Sequence, residues 1–174
     1  MQACFSSPTL QDIEQFQSIS VKTCRETFAA DNDPIEFENY LTAAFAPEKL
    51  VQLLEDPNYH VWFLHVSGTV AGYFALRDYP CKYPVITGEH PIELERFYLD
   101  SQYQGTGLGK QMMTFCLEKA QSLGADSVWL GAWERNTKAH AFYKKQNFQI
   151  VGRHDYWVGN DCQNHFLLQH NLTD

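Results

Sequence analysis

Three glycines at alternate positions, Gly105, Gly107 and Gly109, separate a strand pattern from a helix pattern and constrain the fold more than any other feature. The strand pattern ends at Leu99, and apolar residues of the segment 107–123 recur with the helical period. Glycine lets backbone N–H groups approach a ligand without an intervening β-carbon. Because a helix N-terminus also offers unpaired N–H donors and partial positive charge, we predict an anion site suited to a pyrophosphate.

Three kinds of nucleotide-binding protein place a glycine loop before a helix, and the residue spacing separates them. The P-loop pattern fails because Lys110 is followed by Gln111. The dinucleotide pattern G-x-G-x-x-G fails because the third glycine comes one residue early and no acidic residue ends the following strand. The pattern Q/R-x-x-G-x-G/A, whose loop binds the pyrophosphate of coenzyme A, is matched by Gln102, Gly105 and Gly107. An ordinary glycine-rich connection is the alternative interpretation.

The rest of the chain alternates helix patterns and strand patterns around this loop. The apolar spacing predicts helices over 9–30, 35–45, 47–54, 107–123 and 137–146. Strands are predicted over 59–66, 69–76, 92–99, 127–132, 148–152 and 164–169, with the segment 156–161 between the last two. Thr9 with Asp12, and Asn136, are predicted helix caps, and Gly124 is a predicted helix stop. We therefore predict a mixed sheet with helices on both faces, in a single domain spanning 1–174.

Composition and charge narrow the class of protein. With 174 residues, 44% of them hydrophobic and 20% charged, the chain is typical of a globular domain. The net charge of -8 argues against a nucleic-acid partner and suits either a cationic substrate or plain solubility. Five widely spaced cysteines indicate neither a disulfide framework nor a metal site, and no histidine pair has metal-binding helical spacing. Because we find no signal peptide and no apolar span, we expect no membrane contact and a cytoplasmic location.

A second motif lies downstream of the glycine loop. The pattern N-x-x-A-x-x-F-Y-x-x-x-G-F is matched at Asn136, Ala139, Phe142, Tyr143 and Phe148. Asn147 stands where the pattern has glycine, and since asparagine tolerates a left-handed backbone, we expect the helix stop to survive. Because two separated motifs agree in order and spacing, the chain resembles the GNAT acetyltransferases. The resemblance implies an α/β (α+β) GNAT fold, with a central mixed, mostly antiparallel, twisted sheet of about seven strands flanked by about four helices.

Four further segments resemble one branch of that family, the PaiA-type polyamine N-acetyltransferases. They are 26–28, 40–45, 93–98 and 157–160. The resemblance implies an enzyme that moves the acetyl group of acetyl-CoA directly to a primary amine. The substrate that it favours is a polyamine, spermidine or spermine. A different acceptor (a peptide N-terminus, an amino sugar or an antibiotic) and a non-catalytic coenzyme-A-binding regulator stay open as alternatives. The resemblance also allows a homodimer, and it implies no metal ion in the site.

The resemblance assigns roles to individual residues on the acetyl-CoA side. Backbone groups of Phe97, Tyr98 and Leu99 would hold the pantetheine arm, and an N–H near Phe97 would stabilise the developing oxyanion. Tyr143 would protonate the sulfur, since a phenol with pKa ~10 carries its proton at neutral pH; a half-buried helix tyrosine is the alternative. The remaining residues expected to bind acetyl-CoA are Gln104, Gly105, Thr106, Gly107, Leu108, Gly109, Lys110, Asn136, Lys138, Phe142 and Lys145.

Acidic residues are the candidates for the acceptor side. Glu93 and Glu95 lie two apart on one predicted strand and therefore on one face of the sheet. Glu93 resembles the strand glutamate that some family members use as general base, whereas pairing with Arg96 or with solvent is the alternative. Asp31, Asp33, Glu36 and Glu38 form an acidic cluster with Tyr40 close by. Carboxylates and an aromatic face suit a polycation, although a solvated acidic turn is the commoner meaning of such a cluster. The expected substrate-binding residues are Asp31, Glu36, Tyr40, Glu95 and Glu134.

Overall fold

The computed structural model describes residues 3–158 and 161–172, which form seven strands and five α-helices. The strands are β1 Ala3–Ser6, β2 Tyr59–Val66, β3 Thr69–Arg77, β4 Pro91–Leu99, β5 Ser127–Trp133, β6 Gln149–Val158 and β7 Asp161–Asn171. The helices are α1 Ile13–Phe28, α2 Pro34–Ala44, α3 Pro47–Glu55, α4 Leu108–Ser122 and α5 Thr137–Lys145. The strands hydrogen-bond in the order β1-β2-β3-β4-β5-β7-β6. The predicted mixed sheet of about seven strands is confirmed.

Contacts divide the chain into two compact units, and the first comprises the residues up to Ala75 together with Arg96–Gly109. Its core is aromatic: the ring of Phe16 on α1 meets Phe63 of β2 edge-on at 5.8 Å and Tyr73 of β3 at 5.3 Å. Burying each such side chain stabilises the fold by about 1.5–3 kcal/mol. These contacts fix α1 against β2 and β3.

The second unit comprises Leu76–Glu95 and the chain from Lys110 onward. In this unit β4 pairs with β5 in parallel, from Pro91 opposite Ser127 to Glu93 opposite Trp129, and both strands then continue. β7 pairs antiparallel with both β5 and β6, and a bulge lies at 150–152. Within this unit α4 contributes Met112, Met113, Cys116 and Ala120 to the core.

Several local predictions are confirmed, and others are corrected. Thr9 and Asp12 form the predicted capping box, and Asn147 adopts the left-handed backbone (φ 62°) that ends α5. The predicted strands at 148–152 and 164–169 were too short, because β6 continues to Val158 and β7 begins at Asp161, and antiparallel pairing satisfies their backbone groups. The part of the segment 156–161 between these two residues lies outside the described residues. β1 was not predicted, since four residues carry little periodic signal without their partner β2. The five helices predicted from the apolar spacing are confirmed, one more than the about four that the resemblance implies.

Candidate functional site

The glycine loop has the geometry of an anion site. Gly105 and Gly107 have φ values of 79° and 89°, which side chains with a β-carbon rarely adopt. A β-carbon at either position would meet no atom within 4 Å, so the backbone conformation is what requires glycine. Among the described residues, no carbonyl or side chain accepts from the N–H groups between Gly105 and Gly107, immediately before α4 begins at Leu108. The loop therefore presents N–H donors at a helix N-terminus, as the sequence predicted.

A buried carboxylate that was not predicted anchors the start of this loop. Asp100 is only 3% exposed, and its carboxylate accepts from the N–H of Gln102 (3.1 Å), from Gln102 Nε2 (2.9 Å) and from Lys22 Nζ on α1. Glu26, one turn further along α1, accepts from the N–H of Ser101 at 3.0 Å. We call Lys22, Glu26 and Asp100 the loop clamp. In the sequence, this anchor is visible only as a single aspartate directly after a strand. Such an aspartate does not indicate that Lys22 and Glu26 are its neighbours.

Lys22 and Asp100 each stabilise the charged form of the other. Burial opposes ionisation of Asp100, but the hydrogen bonds from Lys22 and Gln102 outweigh burial and lower the pKa of this carboxyl. The hydrogen bond to Asp100 raises the pKa of Lys22. The pair is therefore ionised at neutral pH, with the carboxylate of Asp100 buried and the side chain of Lys22 half exposed to solvent.

The end of β4 carries the residues expected to hold the pantetheine arm. Gly72 of β3 lies so close to this segment that a β-carbon there would be 2.5 Å from the carbonyl oxygen of Tyr98. The Tyr98 ring packs against Tyr73 with centroids 5.7 Å apart, so this side chain belongs to the core. Gln104 Nε2 donates to the carbonyl of Leu99 at 2.9 Å. The path of the main chain from Leu99 into the glycine loop is thus fixed on both sides.

Tyr143 is buried on α5, with 9% of its surface exposed. Its ring meets Phe148 edge-on at 5.6 Å, and the N–H of Phe148 donates to the carbonyl of Tyr143 at 3.0 Å. Burial, with a smaller contribution from Cys116, raises the pKa of the phenol well above its ordinary value. The phenol therefore holds its proton at neutral pH. The side chain is thus more buried than the alternative of a half-buried helix tyrosine supposed, and the role of Tyr143 as the acid stays a prediction.

The start of α5 carries the rest of the second motif. Asn136 Oδ1 accepts from the N–H of Ala139 at 3.1 Å, which confirms the predicted cap. Lys138 and Lys145 are exposed, Phe142 is half-buried, and the N–H of Glu134 donates to the carbonyl of Asn164 at 2.9 Å. Only the side-chain oxygen of Asn136 takes part in this capping contact, and its side-chain NH₂ group does not.

Glu93 lies on β4 and forms an ion pair that the sequence did not indicate. Its Oε2 accepts from Arg77 Nη1 of β3 at 3.1 Å, and its side chain is 19% exposed. The expected alternative partner, Arg96, instead stacks over Phe45 at 4.8 Å. Burial raises the pKa of Glu93, the charge of Glu95 adds to this effect, and Arg77 opposes it. A carboxyl with a raised pKa is a better proton acceptor than a free carboxylate.

The acidic cluster near α2 divides into structural and solvent-facing members. Asp33 Oδ1 caps α2 by accepting from the N–H groups of Ile35 and Glu36, both at 3.0 Å. Glu38 pairs with Arg25 at 3.0 and 2.9 Å. Tyr40 stacks on Phe37 with ring centroids 6.1 Å apart. The exposed carboxylates of the cluster that were expected to bind substrate are those of Asp31 and Glu36.

All five cysteines are free thiols. Within residues 3–158 and 161–172, no group of three or more metal-ligating side chains is found. In the same part of the chain, no helix has the length and hydrophobicity needed to cross a membrane.

Comparison with known proteins decides the family. The model of the acetyltransferase (GNAT) family matches residues 19–148. The chain belongs to the GNAT acetyltransferase family. It is 34% identical over 163 residues to an uncharacterized N-acetyltransferase of Lactobacillus delbrueckii subsp. lactis, covering 94% of each protein. The spermine/spermidine N(1)-acetyltransferase of Bacillus subtilis is 29% identical over 94 residues, which are 53% of this chain and 61% of that protein.

The fold of this GNAT acetyltransferase has close structural counterparts. The PaiA N-acetyltransferase from Thermoplasma acidophilum, whose crystal structure contains coenzyme A, superposes with a TM-score of 0.78. It shares 17% sequence identity, with 98% of this chain and 99% of that chain covered. The predicted family, fold and activity class are confirmed: the protein is an acetyl-CoA-dependent N-acetyltransferase.

Proposed function

We propose that this GNAT acetyltransferase acetylates a primary amine of a polyamine such as spermidine or spermine. The observation that carries the proposal is the partial similarity to the spermine/spermidine N(1)-acetyltransferase of Bacillus subtilis. The net charge of -8 and the exposed carboxylates of Asp31 and Glu36 support it, because both attract a polycation. Tyr40, Glu95 and Glu134 complete the proposed substrate-binding set.

The glycine loop fits the pyrophosphate of acetyl-CoA. The N–H groups from Gly105 to Lys110 would hold the phosphates, because the left-handed glycines and the start of α4 leave these donors available. The N–H of Gln104, which was also expected to bind the cofactor, instead donates to the carbonyl of Ser101 at 3.1 Å. The backbone of Phe97, Tyr98 and Leu99 would hold the pantetheine arm. Additional contacts are proposed for Asn136, Lys138, Phe142 and Lys145. When bound, acetyl-CoA supplies the activated acetyl group.

Two side chains would handle protons. Tyr143, whose pKa is raised by burial, would donate its proton to the departing sulfur. Glu93, whose pKa is also raised mainly by burial, would accept the first proton of the substrate ammonium through water. Without this step the nitrogen has no lone pair with which to attack.

The remaining features of the proposal concern the chain as a whole. Residues 1–174 are proposed to act as one acetyltransferase domain in the cytoplasm, and a homodimer is compatible with the proposal.

An acceptor panel tests the proposed substrate. Purified protein is incubated with acetyl-CoA and spermidine, spermine, putrescine, a peptide with a free N-terminus, an amino sugar or an aminoglycoside, and thiol release is followed. We expect the highest kcat/KM with spermidine or spermine. A higher value with any other acceptor contradicts the polyamine proposal. Calorimetric binding of coenzyme A is the control, and a protein that binds it without turnover of any amine is a regulator instead.

A further inference from the structure

His154 on β6 directs one ring nitrogen at the exposed backbone of β5. Gly131, although it lies in a central strand, is exposed, whereas Trp129 and Trp133 on the same face are buried. A β-carbon on Gly131 would be 3.0 Å from His154 Nε2, and 3.9 Å from both ring carbons beside that nitrogen. The ring nitrogen Nε2 therefore points at this position, and any side chain at residue 131 would block access to Nε2.

The hydrogen bonds of His154 favour one tautomer of its ring. Nδ1 lies 3.0 Å from the carbonyl oxygen of Asp155 and 3.1 Å from the hydroxyl of Tyr83. A hydrogen on Nδ1 satisfies both contacts, because the Asp155 carbonyl can only accept and the Tyr83 hydroxyl can accept as well; in that neutral tautomer the lone pair is on Nε2. Tyr83 also packs its ring against the imidazole, with centroids 5.0 Å apart. The ring is thus held with its proton-accepting nitrogen toward Gly131.

The surroundings of His154 keep it neutral. Burial lowers the pKa of His154, Lys82 lowers it further, and the contacts with Asp155 oppose the change. The other titratable groups around the ring are Tyr83, Tyr156 and His165. At pH 7 the imidazole is therefore available to accept a proton.

The same face of the sheet carries Glu93. Glu93 is opposite Trp129 in the β4–β5 ladder, and Gly131 lies two residues further along β5, on the face of Trp129. Glu93 and His154 Nε2 thus border one stretch of β5. Glu93 is engaged by Arg77, whereas His154 Nε2 faces a residue without a side chain.

We propose that His154 is a further catalytic residue, which accepts the second proton that the acceptor nitrogen loses. The inference rests on the proposed amine acetylation. An ammonium has three protons and the amide product has one, so two must leave. The first goes to Glu93 and frees the lone pair. Once nitrogen has bonded to the acetyl carbon, it is positively charged and far more acidic than the original ammonium, so a neutral imidazole suffices to take the second.

The protons and bonds then balance. A C–N bond forms, the C–S bond breaks, and the sulfur takes one proton from Tyr143. Glu93 and His154 release their two protons to solvent, and Tyr143 recovers one, so each turnover yields one free proton. No oxidant or further reactant is needed.

Substitution of His154 tests the proposal with the amine that the wild-type enzyme acetylates fastest. We expect His154→Ala to lower kcat about 100-fold, within the range typical of general acid–base catalysis, and to leave the Kd of acetyl-CoA unchanged. Added imidazole should restore turnover in proportion to its free-base concentration, which a purely structural role does not produce. His154→Gln, which can hydrogen-bond but cannot take a proton at neutral pH, should show the same loss. His60→Gln on β2 is the matched control and should retain wild-type kcat.

Each outcome separates the hypotheses. A kcat within threefold of wild type in either His154 variant overturns the proposal, as does the absence of imidazole rescue in a folded His154→Ala protein. If His154→Ala does not fold, the His154→Gln value decides alone. Wild-type preference for an acceptor other than a polyamine contradicts the substrate proposal and leaves the His154 test intact. A wild-type enzyme that accepts no amine overturns both.

Discussion

Replacing Lys22 with methionine removes the ammonium group that donates to Asp100 at the start of the glycine loop. The Asp100 carboxylate, 4% exposed, then keeps only its hydrogen bonds from Gln102, while methionine preserves most of the aliphatic volume of lysine. A hydrogen bond to a charged group contributes about 1.5–3 kcal/mol. Because the side chain of Lys22 is 48% exposed, solvent screening places the expected loss near the lower end, about 1.5 kcal/mol.

The loss should appear in both stability and ligand affinity. If the clamp holds the loop in its binding conformation, the lost energy is needed to reorder the loop on binding, and the Kd of acetyl-CoA should rise by at most about tenfold, since 1.4 kcal/mol corresponds to a factor of ten. Urea denaturation measures the free energy of unfolding, and calorimetry measures Kd. The matched control is Lys49→Met, at an exposed lysine of α3.

A double-mutant cycle refines the test. Lys22→Met, Asp100→Asn and the double variant should give a coupling energy of about 1 kcal/mol or more, because each single change removes the same interaction. A coupling energy below about 0.5 kcal/mol, within the usual error of additivity, together with an unchanged Kd, would refute the clamp as a determinant of loop conformation.

Three further predictions follow from other parts of the structure. Gly105→Ala should cost about 1–2 kcal/mol through its left-handed backbone and weaken acetyl-CoA binding about tenfold, whereas Gly68→Ala, at φ 80° in a hairpin turn, should cost similar stability without changing Kd. Tyr143→Phe should lower kcat at least tenfold with unchanged acetyl-CoA affinity; equal turnover would exclude the proposed acid. The hydrogen bond to Asp78 raises the pKa of His90, so its stabilisation should be full below pH 6.5 and disappear as pH rises through the raised pKa. The difference in Tm between wild type and His90→Gln, measured against pH, checks this sign; a difference that grows with pH contradicts it.

Features encoded over a few residues could be predicted from the sequence. The capping box of Thr9 and Asp12, the cap at Asn136 and the left-handed stop at Asn147 depend on contacts within about five positions. The glycine loop belongs to the same class, because its φ values follow from residue types that few other contexts require. The family was therefore accessible before any long-range contact was known.

Features that depend on pairing between distant segments could not be predicted. β1 and the outer halves of β6 and β7 are strands because partner strands satisfy their backbone groups, and the strand patterns of these segments are weak. Arg77 was not identified as the partner of Glu93, since residues on two different strands carry no common local signal.

The sequence by itself determined that a strand, a glycine loop and a helix would present main-chain donors to an anion, because backbone dihedral preferences act locally. Only the tertiary structure decided which side chains control that loop and the β5 surface. Lys22 and Asp100 are 78 positions apart, and His154 reaches Gly131 from a different strand. Such contacts arise from the packing of whole elements, whose geometry is set by the burial of the core and not by any short stretch of residues.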